Sequence, residues 1–304
     1  MLETAVIGLR LVQYAGAATL FGAPLVLLQG PQGGGASGAR TLLAWAAGGL
    51  ALSALAGLLA QTCVMAGSVA EGLKPDAIIA VITTMALGPS SLVRAAGGLA
   101  ALALLVLGAP GRRTWQAVAL AGALACASFA WMGHGASTEG PGHLIHLAGD
   151  ILHALAAGLW LGALAAFLMM ARPETLQTPA AREALHGALH RFAGAGSAAV
   201  AALIATGLVN SWFLIGPTHL AGLMTTTYGW LLLAKLGLFA LMLVLATANR
   251  FRLTPGLGAG LADPAKLPEA LAGLRLSLAL EALAGLAVLG LVAWLGTLAP
   301  VADL

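Results

Sequence analysis

The sequence predicts an all-α, polytopic membrane protein with eight transmembrane helices, and three observations carry that prediction. Hydrophobic residues make up 60% of the 304-residue chain and charged residues only 8%, against about 25% charged in a soluble domain. The apolar residues gather into segments of about 20 residues, the length that crosses a hydrocarbon core about 30 Å thick. Between these segments lie short stretches rich in Gly, Pro and basic residues. Such a chain satisfies its backbone polar groups inside helices, because lipid offers them no partner.

The first apolar run, residues 5 to 28, lacks a basic leader and a small-residue cleavage site and is too long for a signal-peptide core, so it reads as a retained span. Flexible, Gly-rich GPQGGGASGAR leads to the second, at 41 to 66. In the segment from Gly67 to Ser90, AIIAVITTMAL is apolar but too short to cross, which suits an interfacial or re-entrant piece. Further spans fall at 91 to 109, 114 to 133, 144 to 170, 193 to 215, 228 to 249 and 274 to 298, the last preceded by the proline-broken linker RLTPGLGAGLADPAKLP. Neither linker forms a folded extra domain.

Orientation follows from the 14 basic residues. Arg40, Arg112, Arg113, Arg172, Arg182, Arg191, Arg250, Arg252, Lys266 and Arg275 fall in the odd-numbered loops, which therefore face the cytoplasm and leave both termini outside. These scattered charges form no nucleic-acid patch. Cys63 and Cys126 sit inside apolar segments and suggest neither a disulfide framework nor a zinc site.

The fifth span opens with His143, His146, Asp150 and His153, whose offsets place all four on one side of a helix. At 1.5 Å per residue this stripe descends roughly 15 Å from the outer surface, about half the hydrocarbon thickness. Ionisable groups at such depth usually mark an ion path or ligand site. Neutral imidazoles bind transition metals, and Met and Cys favour monovalent copper. Outer span ends offer such groups in Met132 and His134 and in Cys63 and Met65, with Met85, Met224 and His219 on the same side. Asp150 suits a hard ligand, an acceptor fixing an imidazole tautomer, or a partner for Arg10, Arg94 or Lys235. For a single buried His, a hydrogen-bonded packing role is the simpler reading.

The two halves, 1–140 and 141–304, read as parallel four-helix repeats. Displacement by 140 residues aligns RLVQYAGAATLFGA with DILHALAAGLWLGA, setting Arg10 opposite Asp150, Gln13 opposite His153 and Gly22 opposite Gly162. Displacement by 141 aligns TMALGPSSLVR with TTTYGWLLLAK, setting Thr84 opposite Thr225, Gly88 opposite Gly229 and Arg94 opposite Lys235. Four spans per copy give a pseudo-two-fold axis along the membrane normal, with a central site at the interface. Abundant small residues allow close helix approach.

His186 and His190, with Arg182, Glu183 and Arg191, suit an amphipathic lead-in to the sixth span better than a metal site. Glu281 lies two turns into the last span and is poorly placed to pair with Arg275, so it needs a partner on another helix and fits the inner exit of a path. Trp160 and Trp212 read as packing residues; Trp115, Trp230 and Trp294 lie nearer helix ends, where interfacial anchoring is the alternative.

The run GHGASTEGPGHLIHLAGDILHALAAGLWLGAL, with TGLVNSW, TTTYGWLLLAKLGLFALMLVLATANR, RLSLALEALAGLAVL and RLVQYAGAATLFGAPL, resembles the CopD (PcoD) copper resistance family of bacterial inner-membrane proteins. The resemblance covers most of the chain, most specifically residues 131 to 250. It implies eight spans in the inner membrane, copper as the bound ion, movement from periplasm toward cytoplasm and a periplasmic CopC-type partner, for which this chain has no fused equivalent. Matching positions are His134, His146, Asp150, His153, Trp160 and Gly162, then Tyr228, Lys235, Asn249, Arg250 and Glu281. The expected metal ligands are His134, His143, His146, Asp150, His153 and Met132, with Cu(I) as the ion. Without a Walker motif, movement is expected to draw on gradients or carrier handover, and no enzymatic activity is expected. Two rivals remain: a haem electron-transfer protein, for which membrane histidine pairs are scarce here, and a copper sensor or assembly factor that does not transport.

Overall fold

A computed structural model describes residues 2–29, 36–109, 111–132, 140, 142–216 and 219–303. Among these the chain is helical without strands. Eight helices are long and apolar enough to span a membrane: α1 (Leu2–Leu27), α2 (Ala36–Met65), α3 (Leu87–Leu107), α4 (Arg112–Ser128), α5 (His143–Met170), α6 (Pro179–Leu214), α7 (Thr227–Ala248) and α8 (Leu267–Leu295).

Helices α1 and α5 form the centre. α1 packs on α2, α4, α5 and α8, while α5 also meets α4, α6 and α8. Glycine sets their separation. A Cβ on Gly22 would lie 2.5 Å from the Leu159 carbonyl oxygen, and one on Gly162 would lie 2.6 Å from Gly22 Cα. These obstructions are backbone, so no rotamer change relieves them. Gly98 similarly brings α3 onto Ala47 and Ala51 of α2.

The segment before α3 contains two short helices, Val69–Gly72 and Pro75–Thr84. Ten residues rise roughly 15 Å, too little to cross. A Cβ on Gly88 would meet the Ile82 backbone and, at 2.6 Å, the Val81 carbonyl oxygen. Before α7, a Cβ on Gly229 would meet Leu223 Cα at 2.5 Å and the Gly222 carbonyl oxygen at 2.6 Å, the obstructing residues again lying 141 positions further along.

The linker after the seventh span and the start of the sixth span differ from expectation. The stretch after residue 249 continues α7 as a π-helical turn, Asn249–Leu253, and an α-helix, Thr254–Ala262. Pro255 stands just after the π-helical turn and, having no N–H, donates no hydrogen bond back to it. Helix α6 likewise starts well before residue 193: Pro179 occupies its first turn and the Thr178 hydroxyl accepts from Ala181 N–H at 3.2 Å. Trp115 is buried, as packing requires, whereas Trp212, Trp230 and Trp294 are exposed on the bundle surface.

A polar network ties the first four helices together. Arg94 is fully buried; its Nε donates to Gln13 Oε1 at 2.9 Å, Nη2 to Ser91 Oγ at 2.9 Å and Nη1 to Ser128 Oγ at 3.2 Å. Gln13 Nε2 in turn donates to the Ser53 carbonyl oxygen at 2.9 Å. Replacing Gln13 by Leu strands a charged donor and is expected to destabilise the bundle by about 1.5–3 kcal/mol, the range for hydrogen bonds to charged groups. Thermal unfolding in detergent would show this as a lower midpoint; an unchanged one would show the network to be dispensable.

The packing between neighbouring helices is uneven along the chain, and this positions the site. α2 packs along α3, but α6 and α7 barely touch, and the extension after α7 returns to α6. Space is therefore left among α5, α6, α7 and α8.

Candidate functional site

The space is a cavity of about 530 Å³, lined among others by Tyr14, Cys126, Asp150, His153, Asn210 and Lys235, with Trp160 and Met242 deeper. Asp150 and His153 are half-buried on its wall, whereas His146, one turn earlier on α5, is 1% exposed. The His146 ring stacks on Phe213 of α6, centroids 4.5 Å apart and planes within 7°. Its Nε2 lies 4.0 Å from Asp150 Oδ2, while Asp150 Oδ1 accepts from Asn210 Nδ2 at 2.7 Å.

Thr206 of α6 holds the His153 ring. Its Nδ1 lies 2.8 Å from Thr206 Oγ1, and that hydroxyl donates its single proton to the Ala202 carbonyl oxygen at 2.6 Å. With its proton on Ala202, Thr206 accepts from His153 Nδ1–H, the tautomer that leaves the Nε2 lone pair for another partner. Metal-binding histidines are held in this way, one nitrogen donating to a fixed acceptor and the other left for the ion.

The stripe does not close into a cluster by itself. Among the described residues, no three His, Cys, Asp or Glu side chains converge as a metal site. Neighbours on a helix face are about 5–6 Å apart at Cβ, so four positions along one helix cannot all reach one ion. His143 is half-buried at the start of α5, and Met132 is half-buried at the end of the α4 region. His134 lies outside the described residues. Of the candidate partners for Asp150, Lys235 lines the same cavity, and Arg94 is occupied in the first-half network. Cys63, Met65 and Met85 do not line the cavity.

Sequence reading missed Thr206, Asn210 and Phe213, the α6 residues that fix the stripe. Their signal was available: Thr206 and Asn210 are polar residues four apart in an apolar span, hence on one face. Cys126 and Met242, soft donors on the cavity wall, were also not placed there.

At the other end of the cavity three helices meet. The Glu281 side chain of α8 is 2% exposed. Its carboxylate accepts from Trp160 Nε1 of α5 at 2.8 Å and from Asn249 Nδ2, at the start of the π-helical turn, at 2.6 Å. Its partners lie on other helices, as its spacing from Arg275 required, and Arg275 Nε instead donates to the Ala171 carbonyl oxygen at 2.7 Å. Near this end His186 and His190 stack with centroids 6.5 Å apart along continuous α6.

Eight apolar helices, six of them contributing to a cavity that carries Asp150, His153 and Lys235, define a multi-pass membrane protein. Residues 1–144 match the family described as Copper resistance protein D-like, N-terminal domain, and residues 186–295 match Copper resistance protein D. The chain belongs to the copper resistance protein D family. It is 44% identical over 183 residues to Copper resistance protein D of Pseudomonas syringae pv. tomato, covering 60% of this chain and 58% of that protein. It is 34% identical over 128 residues to Inner membrane protein YebZ of Escherichia coli (strain K12), 41% of each chain. A third relative, Copper transport protein CutJ of Bacillus subtilis (strain 168), is 34% identical over 125 residues, 41% of this chain and 22% of that one. The chain thus spans 58% or less of the length of these relatives. No solved structure matches.

Proposed function

We propose that this protein moves copper ions through a bacterial inner membrane, from periplasm toward cytoplasm, by way of His146, Asp150 and His153. The observation that carries this reading is the oriented His153, whose Nε2 lone pair is left available beside Asp150 on an intramembrane cavity wall. His134, His143 and Met132 capture the ion at the outer end, and the stripe passes it inward by ligand exchange. Cys126 and Met242 further along suit Cu(I). The names of the relatives from Pseudomonas and Bacillus support copper as cargo, and that of the Escherichia relative supports the inner membrane.

The basic-residue distribution supports periplasmic termini. A CopC-type periplasmic protein is the proposed donor. The halves 1–140 and 141–304 are read as copies in parallel orientation, supported by the facing Gly22 and Gly162 and by the matching approaches at Gly88 and Gly229. In this reading the first half keeps a fixed guanidinium, Arg94 on Gln13, where the second keeps a cavity between Lys235 and His153. The gap between α6 and α7 creates that difference.

Proteoliposomes containing the purified chain and an internal Cu(I) indicator test the proposal. Copper entry above that of empty vesicles is expected. Stoichiometric copper binding without entry would assign the protein to sensing or assembly, and a Soret band in the purified protein would redirect the histidines to haem.

A further inference from the structure

Among the described residues Glu281 is the one fully buried acid, and the copper path does not use it. Among the described residues no basic side chain comes within 4.0 Å of its carboxylate. Arg275 on the same helix is bonded to Ala171, and Arg250, adjacent to Asn249, turns to Ala193 and Ser197 of α6. Lys235 on α7 is 14 residues before Asn249, roughly 20 Å at 1.5 Å per residue. Arg10 of α1 abuts Gly296, similarly distant along α8. On α5 the nearest ionisable group is His153, two turns from Trp160, and on α6 His186 packs against Gly258, beyond the π-helical turn.

An ionised carboxylate out of water without a counter-ion is costly, and two N–H donors offset that only in part. Among the described residues two buried oxygens without a hydrogen-bond partner also lie on these elements. One is Asn249 Oδ1, on the amide already bound to the carboxylate; the other is Ser277 Oγ, one turn before Glu281 on the same face of α8. A protonated carboxyl has the O–H that the ionised group lacks. It can donate to Ser277 Oγ, or to Asn249 Oδ1 once the amide turns.

We propose that Glu281 is a reversible proton-binding site that couples a proton to movement of the cargo, with Trp160 as the link to the cavity. The coupling rests on the copper-carrier reading for the cargo and its movement; the proton site does not. In the binding step a hydronium ion at this end of the bundle gives its proton to a Glu281 oxygen, forming the O–H bond and leaving water; release is the reverse. The Trp160 ring lines the cavity while its N–H holds the carboxylate, so a change in that bond alters the cavity wall. Asn249 opens a π-helical turn, a local irregularity often found at functional sites.

Infrared difference spectra of the reconstituted full-length chain, recorded between acidic and alkaline buffer, test the site without copper. A carbonyl band of a protonated carboxyl is expected to come and go with pH. It should be lost in Glu281→Gln, retained in Asp150→Asn and shifted in Trp160→Phe, which removes one donor. An internal pH dye then follows copper entry into proteoliposomes: proton movement should accompany it in the wild type and vanish in Glu281→Gln, whose copper-to-protein ratio is unchanged. A band that persists in Glu281→Gln, or proton movement equal to wild type, overturns the proposal. If the wild type binds no copper but shows the Glu281 band, the carrier reading fails and the proton site stands.

Discussion

Replacing His146 and His153 together by alanine is expected to reduce bound copper from a stoichiometric amount to background in elemental analysis of detergent-purified protein loaded under reducing conditions. The expectation follows from their unequal surroundings. His153 presents Nε2 beside the cavity because Thr206 fixes Nδ1 as the donor, and His146 stands one turn from Asp150 with its ring held flat on Phe213. The orienting acceptor can be tested separately. Thr206→Val keeps the shape but removes the oxygen that fixes the tautomer, and is expected to weaken copper binding by about 10- to 100-fold, the usual effect of losing a partner behind a metal ligand. Unchanged stoichiometry and affinity in the double variant would remove the stripe from the site.

The second large effect is on assembly. Gly162→Leu should abolish the yield of monodisperse protein in size-exclusion chromatography, because any Cβ at this position enters the backbone of α1 at Ala18 and Gly22. Overpacking commonly costs about 1–3 kcal/mol where side chains can adjust; here helix must move from helix at the central crossing, so the loss exceeds that range. Gly290→Leu is the control, since a Cβ there meets nothing within 4 Å. Normal elution of the Gly162 variant would mean that α1 and α5 cross less closely than described.

Much of this was legible in the sequence. A bilayer imposes helix length and forbids unpaired backbone, so all eight spans and the short segment after residue 67 are recognisable from hydropathy alone. Helix ends were less so. The prolines of the stretch after α7 read as breaks, yet Pro255 lies in a helix that continues α7 through the π-helical turn. The π-helical turn at Asn249 has no composition of its own to announce it.

What the sequence by itself determined is the set of spans and the single face shared by His143, His146, Asp150 and His153, because both follow from the fixed rise and periodicity of one helix. Only the tertiary structure decided which of those groups are oriented toward a cavity, which α6 residues hold them, and that Trp160, Asn249 and Glu281 meet at its far end. Trp160 and Glu281 are 121 residues apart in the chain. Their meeting depends on how closely α5 and α8 approach, and glycines together with the separation of α6 from α7 set those distances. Periodicity along one helix carries no information about the angle or depth at which another crosses it.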